Sequence, residues 1–296
     1  MLKERYRKSE KIQSIILFII ISIIWGSSFI LIKKGLSVFT PIQVGTIRIM
    51  FAFLFMLPVA IKNIRKIPKD KIKFFVITGT LGNLIPAVLF AMAETKLESS
   101  VAGILNALTP LFTLLIAVFI YKLKVKGIQI FGLIIGLAGT IAFSLVNNNG
   151  AFGSINIYVW YIVIATIFYA TNLNLIKEYF SNIRSIIVTA LSMFFIGPVC
   201  IIYLFTTDFI YKLSNVSGAY ESMGYLAILG VFGTAIALIL YTRLIQINSA
   251  VVASSVAYLI PVVAILWGIL DNEVLYPLHF AGMILILSGI YFANKT

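Results

Sequence analysis

The sequence predicts an all-α integral membrane protein of ten transmembrane helices, arranged as two inverted five-helix repeats with both termini in the cytoplasm. Three observations carry this expectation. Of 296 residues, 61% are hydrophobic and 11% charged, with a mean hydropathy of +1.06, whereas soluble domains carry about 25% charged residues. Apolar runs long enough to cross a bilayer, about 20 residues each, recur along the whole chain. The runs are continuous rather than alternating, the pattern of helices and not of outer-membrane strands.

In chain order the expected helices 1 to 10 span 12–33, 41–61, 73–94, 98–121, 127–146, 157–176, 185–206, 221–242, 249–270 and 277–294. Helix 1 follows the charged segment KERYRKSEK; it is too long for a signal-peptide core and lacks a small-residue cleavage site, so it is expected to be retained. The single cysteine, Cys200, falls in helix 7 and allows no disulfide within the chain.

The formal net charge is +13. Taking the connections alternately, the clusters at Lys3–Lys11, Lys62–Lys73 and Lys122–Lys126, with Lys177, Arg184, Arg243 and Lys295, fall on one side. Only Lys33, Lys34, Lys96 and Lys212 fall on the other. The positive-inside rule then places both termini in the cytoplasm. Topology and contact with anionic lipid headgroups account for the basic excess, so no nucleic-acid partner is implied.

Aligning Pro110 with Pro261, an offset of 151, also aligns Val101 with Val252, Leu108 with Leu259 and Leu115 with Leu266. The next helices share a G-x6-G spacing, Gly132 to Gly139 and Gly282 to Gly289. The chain therefore divides into a basic N-terminus (1–11), a first repeat (12–146), an external linker NNNGAFGSIN (147–156) and a second repeat (157–294). Five helices per repeat is an odd number, so the halves enter the membrane from opposite faces, an arrangement that supplies two exchangeable conformations.

Polar and small residues form stripes at helical spacing. In helix 4 the stripe is Ser99, Ala102, Gly103, Asn106, Pro110 and Thr113; in helix 9 it is Ala250, Ala253, Ser254, Ala257, Pro261 and Ala264. Such stripes serve close helix packing, but buried amides need partners. The expected substrate cavity is neutral, amide-bearing and aromatic: Trp25, Asn83, Asn106, Tyr169, Asn172, Tyr241 and Tyr258. Pro110 and Pro261 free the carbonyls of Asn106 and Ala257 near the midplane and are expected to act as paired hinges. Arg48, the one charge well inside a run, is expected to form a gate or ion pair with Glu94. The glycines of helices 5 and 10 mark a scaffold.

The segment IIWGSSFILIKKGLSVFTPIQVGTIRIMFAFLFML (23–57) resembles the first two helices of the drug/metabolite transporter superfamily in its EamA-like branch, through Trp25, Gly26, Ser27, Phe29, Pro41 and Arg48. The L-x-P of helices 4 and 9, the glycine spacing of helices 5 and 10, and Glu273 between helices 9 and 10 match the same family. The first half has lysines in YKLKVKG where the family carries a second acidic residue. The resemblance implies a ten-helix basket in a bacterial inner membrane, with a central cavity lined by helices 1, 3, 4, 6, 8 and 9.

The expected function is secondary transport, as an exporter, of a small organic solute such as an amino acid or neutral metabolite, by alternating access. The alternatives are efflux of cationic amphiphiles, or a channel or lipid-handling protein. Small-molecule substrate, membrane lipids and protons as coupling ion are the expected partners. No G-x4-GK[ST] motif occurs, and one His with one Cys offers no metal site. No catalytic residue, metal or cofactor is expected, and the chain is not read as an enzyme.

Overall fold

The computed structural model describes residues 2–120, 122, 126–144, 156–248 and 250–293. All but the last residue of the expected linker, and most of the loop carrying Lys124, lie outside that set. Among the described residues every regular segment is helical. Eight helices are long and apolar enough to cross a membrane: α1 (Ile12–Leu36), α2 (Pro41–Lys66), α3 (Lys69–Glu94), α4 (Ser99–Phe119), α6 (Tyr158–Tyr179), α7 (Ser185–Phe205), α8 (Ala219–Ile247) and α9 (Ala250–Leu270). Two more, α5 (Gly127–Ser144) and α10 (Pro277–Ala293), carry the shorter apolar stretches Gly127–Gly136 and Pro277–Gly289. Among the described residues every expected run is thus helical, with ends shifted by a few residues.

Local chemistry explains several boundaries. α2 opens on Pro41 behind a capping box in which Thr40 and Gln43 satisfy each other's backbone donors. Gln43 also reaches Asp208 at 2.7 Å, holding a short helix, Phe209–Asn215, that the apolar pattern did not announce. The α1 helix begins as far back as Leu2, so the basic N-terminal segment continues it.

Inter-helix contacts gather the loops at two ends. At the basic end, Lys177 donates to the carbonyls of Ile245 (3.1 Å), Gln246 (3.2 Å) and Asn248 (2.5 Å), while Asn248 donates to Ser14. These bonds tie α6 and α1 to the α8–α9 turn. At the far end, Lys33 of α1 meets the loops that follow α3 and α9.

Small residues set how closely helices approach. A Cβ on Gly289 would lie 2.4 Å from the backbone nitrogen of Gly136, so α5 and α10 touch backbone to backbone, as a scaffold pair would. Between α4 and α9, a Cβ on Gly103 would lie 2.4 Å from that of Ala264, and one on Gly268 would lie 2.8 Å from that of Ser100. The far-end halves of both stripes are therefore packing surfaces. Around the outside, Val199, Ile202, Phe205, Leu266, Ile269 and Leu270 are more than half exposed, an apolar belt suited to lipid rather than water.

Candidate functional site

The middle of the bundle encloses a cavity of about 80 Å³. A single water needs roughly 10–15 Å³ on this measure, so the space admits a small solute and is well short of the roughly 300 Å³ at which drug-sized ligands begin to be held. Its lining runs from Phe90 and Arg48 in the far half to Ser254 and Ile176 near the basic end. Helices α1, α2, α3, α4, α6, α8 and α9 all contribute.

Six of the seven expected cavity residues line it: Trp25, Asn83, Asn106, Tyr169, Asn172 and Tyr241. Tyr258 does not, and neither do Pro110 and Pro261. The reason is a change of helical winding. Residues 106–108 of α4 and 255–258 of α9 form 3₁₀ turns immediately before each proline. A 3₁₀ turn repeats every three residues instead of 3.6. The cavity face accordingly reads Asn106 and Thr109 in α4, and Ser254, Ala257 and Ile260 in α9. Both prolines sit in the first turn of the α-helix that follows, where the missing donor costs least. The Asn106 carbonyl that Pro110 frees is taken up locally, by the Thr109 hydroxyl at 2.9 Å.

Helices α3 and α8 are irregular at matching places. Residues 80–84 and 229–236 are wound as π-helix, a local expansion common at functional sites. In each, a side chain bonds the carbonyl five residues earlier: Asn83 Nδ2 to Thr78 at 3.0 Å, and Thr234 Oγ1 to Leu229 at 3.2 Å. The 151-residue offset that aligns the prolines also pairs these two residues. It pairs lining residues six times: Trp25 with Ile176, Gly82 with Gly233, Asn83 with Thr234, Phe90 with Tyr241, Asn106 with Ala257, and Thr109 with Ile260.

The WGSS segment of α1 is fitted residue by residue. Trp25 Nε1 donates to the Gly233 carbonyl at 3.0 Å, and its ring meets Tyr241 edge-on at 4.5 Å between centroids. Gly26 leaves room for Val263, whose Cβ would be 2.4 Å from one placed there. Ser27 marks the break in α1 and accepts from Trp267 Nε1 at 2.8 Å.

Arg48 and Glu94 do not form the direct ion pair expected of them. Arg48 is 8% exposed and lines the cavity; its Nε donates to Thr234 Oγ1 at 3.0 Å. Glu94 is buried and neither carboxylate oxygen has a hydrogen-bond partner. The α3 helix carries it to the far end, where it interacts electrostatically with Glu273, Arg48 and Lys33.

An ion network is the site's far-end boundary. The Glu273 side chain is fully buried and accepts from the backbone nitrogens of Ser99 and Ser100 (3.0 Å each) and from their hydroxyls (2.6 and 2.5 Å). It therefore caps the N-terminus of α4 from the other half of the chain. Lys33 Nζ joins Glu273 (2.8 Å), Asp271 (2.8 Å) and Glu98 (3.2 Å). Burial opposes ionisation of Glu273, but the bonds from Lys33, Ser100 and Ser99 prevail and hold its carboxyl below the ordinary range. Asp271 is likewise held low by its bonds to Lys33 and Lys34. The sequence showed Glu273 as a family feature; its partner at Ser99 and Ser100 became visible only once the two loops met.

These features define a helical membrane-protein framework: two related halves around a small central cavity. The chain belongs to the EamA-like transporter family, whose model matches residues 12–145 and again 156–295. It is 29% identical over 254 residues to an uncharacterized inner membrane transporter, YedA, of Escherichia coli K12, covering 83% of this chain and 78% of that one. An uncharacterized transporter of Archaeoglobus fulgidus is 26% identical over 268 residues, covering 90% and 93%, and Protein PagO of Salmonella typhimurium is 25% identical over 258, covering 86% and 84%. A solved crystal structure shares the fold at 14% identity with a TM-score of 0.64, covering 95% of this chain and 96% of that one.

Proposed function

We propose that the protein is a secondary carrier of the bacterial inner membrane that exports a small organic solute, such as an amino acid or a neutral metabolite, by alternating access. In this reading the ten helices all cross the bilayer, both termini face the cytoplasm, and the two five-helix repeats are inverted. The observation that carries it is the set of six offset-related residue pairs around one cavity. A site built twice from the same positions of two oppositely oriented halves lies on their pseudo-two-fold axis, where inverted-repeat carriers hold substrate.

With the basic end cytoplasmic, the Lys33 network and the tight α4–α9 contact lie on the outer side of the cavity. Efflux of cationic amphiphiles fits less well, because the cavity is small and the one charged side chain lining it among the described residues, Arg48, is positive. The test is counterflow in proteoliposomes loaded with unlabelled amino acids and neutral metabolites. A carrier accelerates uptake of labelled solute when the same solute is present inside. Uptake indifferent to internal solute marks a channel and ends this reading.

A further inference from the structure

The cavity is symmetric in position but not in charge. Arg48 has Val199 as its counterpart at the 151-residue offset, and Val199 is 60% exposed on the outer surface. The first half thus brings a guanidinium into the cavity and the second brings none. Among the described residues, Arg48 forms no ion pair, and its side chain makes one hydrogen bond, through Nε. Thr234 takes that proton and passes its own to the Leu229 carbonyl, so it is locked as an acceptor. This uses the side edge of the guanidinium and leaves the end-on pair, Nη1 and Nη2. Glu94 reaches Arg48 only through space, without a contact; a buried cation with no carboxylate against it is costly, and the end-on pair of a guanidinium matches a carboxylate in bidentate fashion.

A second unmet group lies nearby. Asn172 Oδ1 is buried in the cavity wall without a partner. It is three residues from Tyr169 on α6, hence on the same helix face, and Tyr169 and Arg48 interact electrostatically. An unpaired cation and an unpaired acceptor complement a carboxylate and an N–H donor. The remaining wall is apolar or aromatic, with Phe29, Leu238, Tyr241 and Ile260.

We infer that Arg48 is the anchor for a substrate carboxylate, with Asn172 receiving the substrate's amino group, so that the transported solute is a zwitterionic amino acid with a small apolar side chain rather than an uncharged metabolite or an amine. A dianion would leave its second charge without a partner, since no other basic side chain lines the cavity among the described residues. This assignment rests on the carrier reading above, and it names the chemistry of the site in that reading.

Binding and transport are measured separately. The chain has three tryptophans; replacing Trp160 and Trp267 with Phe leaves Trp25, in the cavity wall, as the sole reporter. Its fluorescence is titrated with leucine, with 4-methylpentanoate (carboxylate only) and with isopentylamine (amine only). The expected order is leucine first, then 4-methylpentanoate, with isopentylamine last. Arg48→Gln should weaken binding of both carboxylate probes by about ten- to a hundredfold, the range of hydrogen bonds to a charged group, and should not weaken isopentylamine, which is relieved of a like charge. Arg48→Lys keeps the charge without the fork and should fall between; it also serves if the Gln variant does not fold. Isopentylamine binding as tightly as leucine, no response to either carboxylate probe at millimolar concentration, or carboxylate affinity unchanged in both Arg48 variants overturns the assignment. Leucine bound without counterflow overturns the carrier reading instead and leaves the Arg48 site standing.

Discussion

Lys33 and Glu273 lie 240 residues apart in sequence and 2.8 Å apart in space, and the bond between them joins α1 to the loop between α9 and α10. Because Glu273 also caps α4, one carboxylate ties three elements at the far end. Glu273→Gln should lower the unfolding free energy by about 1–2 kcal/mol, the usual scale for a lost cap, read as a fall in Tm of the detergent-solubilised protein.

The same carboxylates give the far end a defined acid response. Glu273 and Asp271 are both held below their ordinary values of 4.5 and 3.8. A carboxyl depressed in the folded state adds stability that is fully present above its unfolded value and is lost as pH falls through the folded one. The network should therefore be intact above about pH 5 and should weaken below about pH 4. A Tm series across that interval should slope more steeply for the wild type than for Glu273→Gln; parallel curves would remove Glu273 from the response.

Gly82 faces Asn172 so closely that a Cβ there would sit 2.1 Å from Nδ2. Gly82→Ala must push the Asn172 amide into the cavity or out of register, while the helix gains a better former. The expected result is a protein that folds and reconstitutes normally but binds substrate on the order of tenfold more weakly, the worth of about one hydrogen bond. Wild-type affinity in counterflow would mean that Asn172 makes no contact with substrate.

Glu94 bears on energy coupling. It is buried, neither oxygen is hydrogen-bonded, and Arg48 and Glu273 are both within electrostatic reach. A proton is the simplest species to occupy such a carboxyl during part of a cycle. Glu94→Gln should abolish accumulation driven by a pH gradient and spare counterflow, which needs no gradient. Should gradient-driven transport persist in this variant, protons do not couple through Glu94.

Much of this was legible in the sequence, and the exceptions have physical causes. Continuous apolar runs marked α1 to α10 among the described residues, because an apolar segment in lipid satisfies its backbone as a helix; the short helix Phe209–Asn215 carries no such run. Depth and residue type were enough to pick out six residues that line the cavity, Trp25, Asn83, Asn106, Tyr169, Asn172 and Tyr241. Tyr258 lies off the cavity face, which runs through Ser254, Ala257 and Ile260 at the three-residue spacing of the 3₁₀ turn over 255–258. Arg48 and Glu94 looked like partners because both are charged and deep, yet Thr234, a neutral residue of the other half, holds Arg48. The Glu273 cap needed two distant loops to converge, which no local pattern reports.

Those 3₁₀ turns bear on the prolines. In the middle of a regular α-helix, Pro→Ala relieves a defect of about 3 kcal/mol. Pro110 and Pro261 each occupy the first turn of a new α segment, where little is relieved. Pro110→Ala and Pro261→Ala should therefore change stability by less than about 1 kcal/mol. Each restores an N–H that favours continuous α winding through the 3₁₀ turn, and so stiffens the joint beside the cavity. If the joints bend during alternating access, each variant should lose turnover, on the order of tenfold, with KM unchanged, since motion rather than binding is then slowed. Because the two joints lie at matching positions in the two halves, the losses should be similar in size. A loss confined to one variant would assign hinging to that half alone, and full turnover in both would leave the prolines a role in packing only.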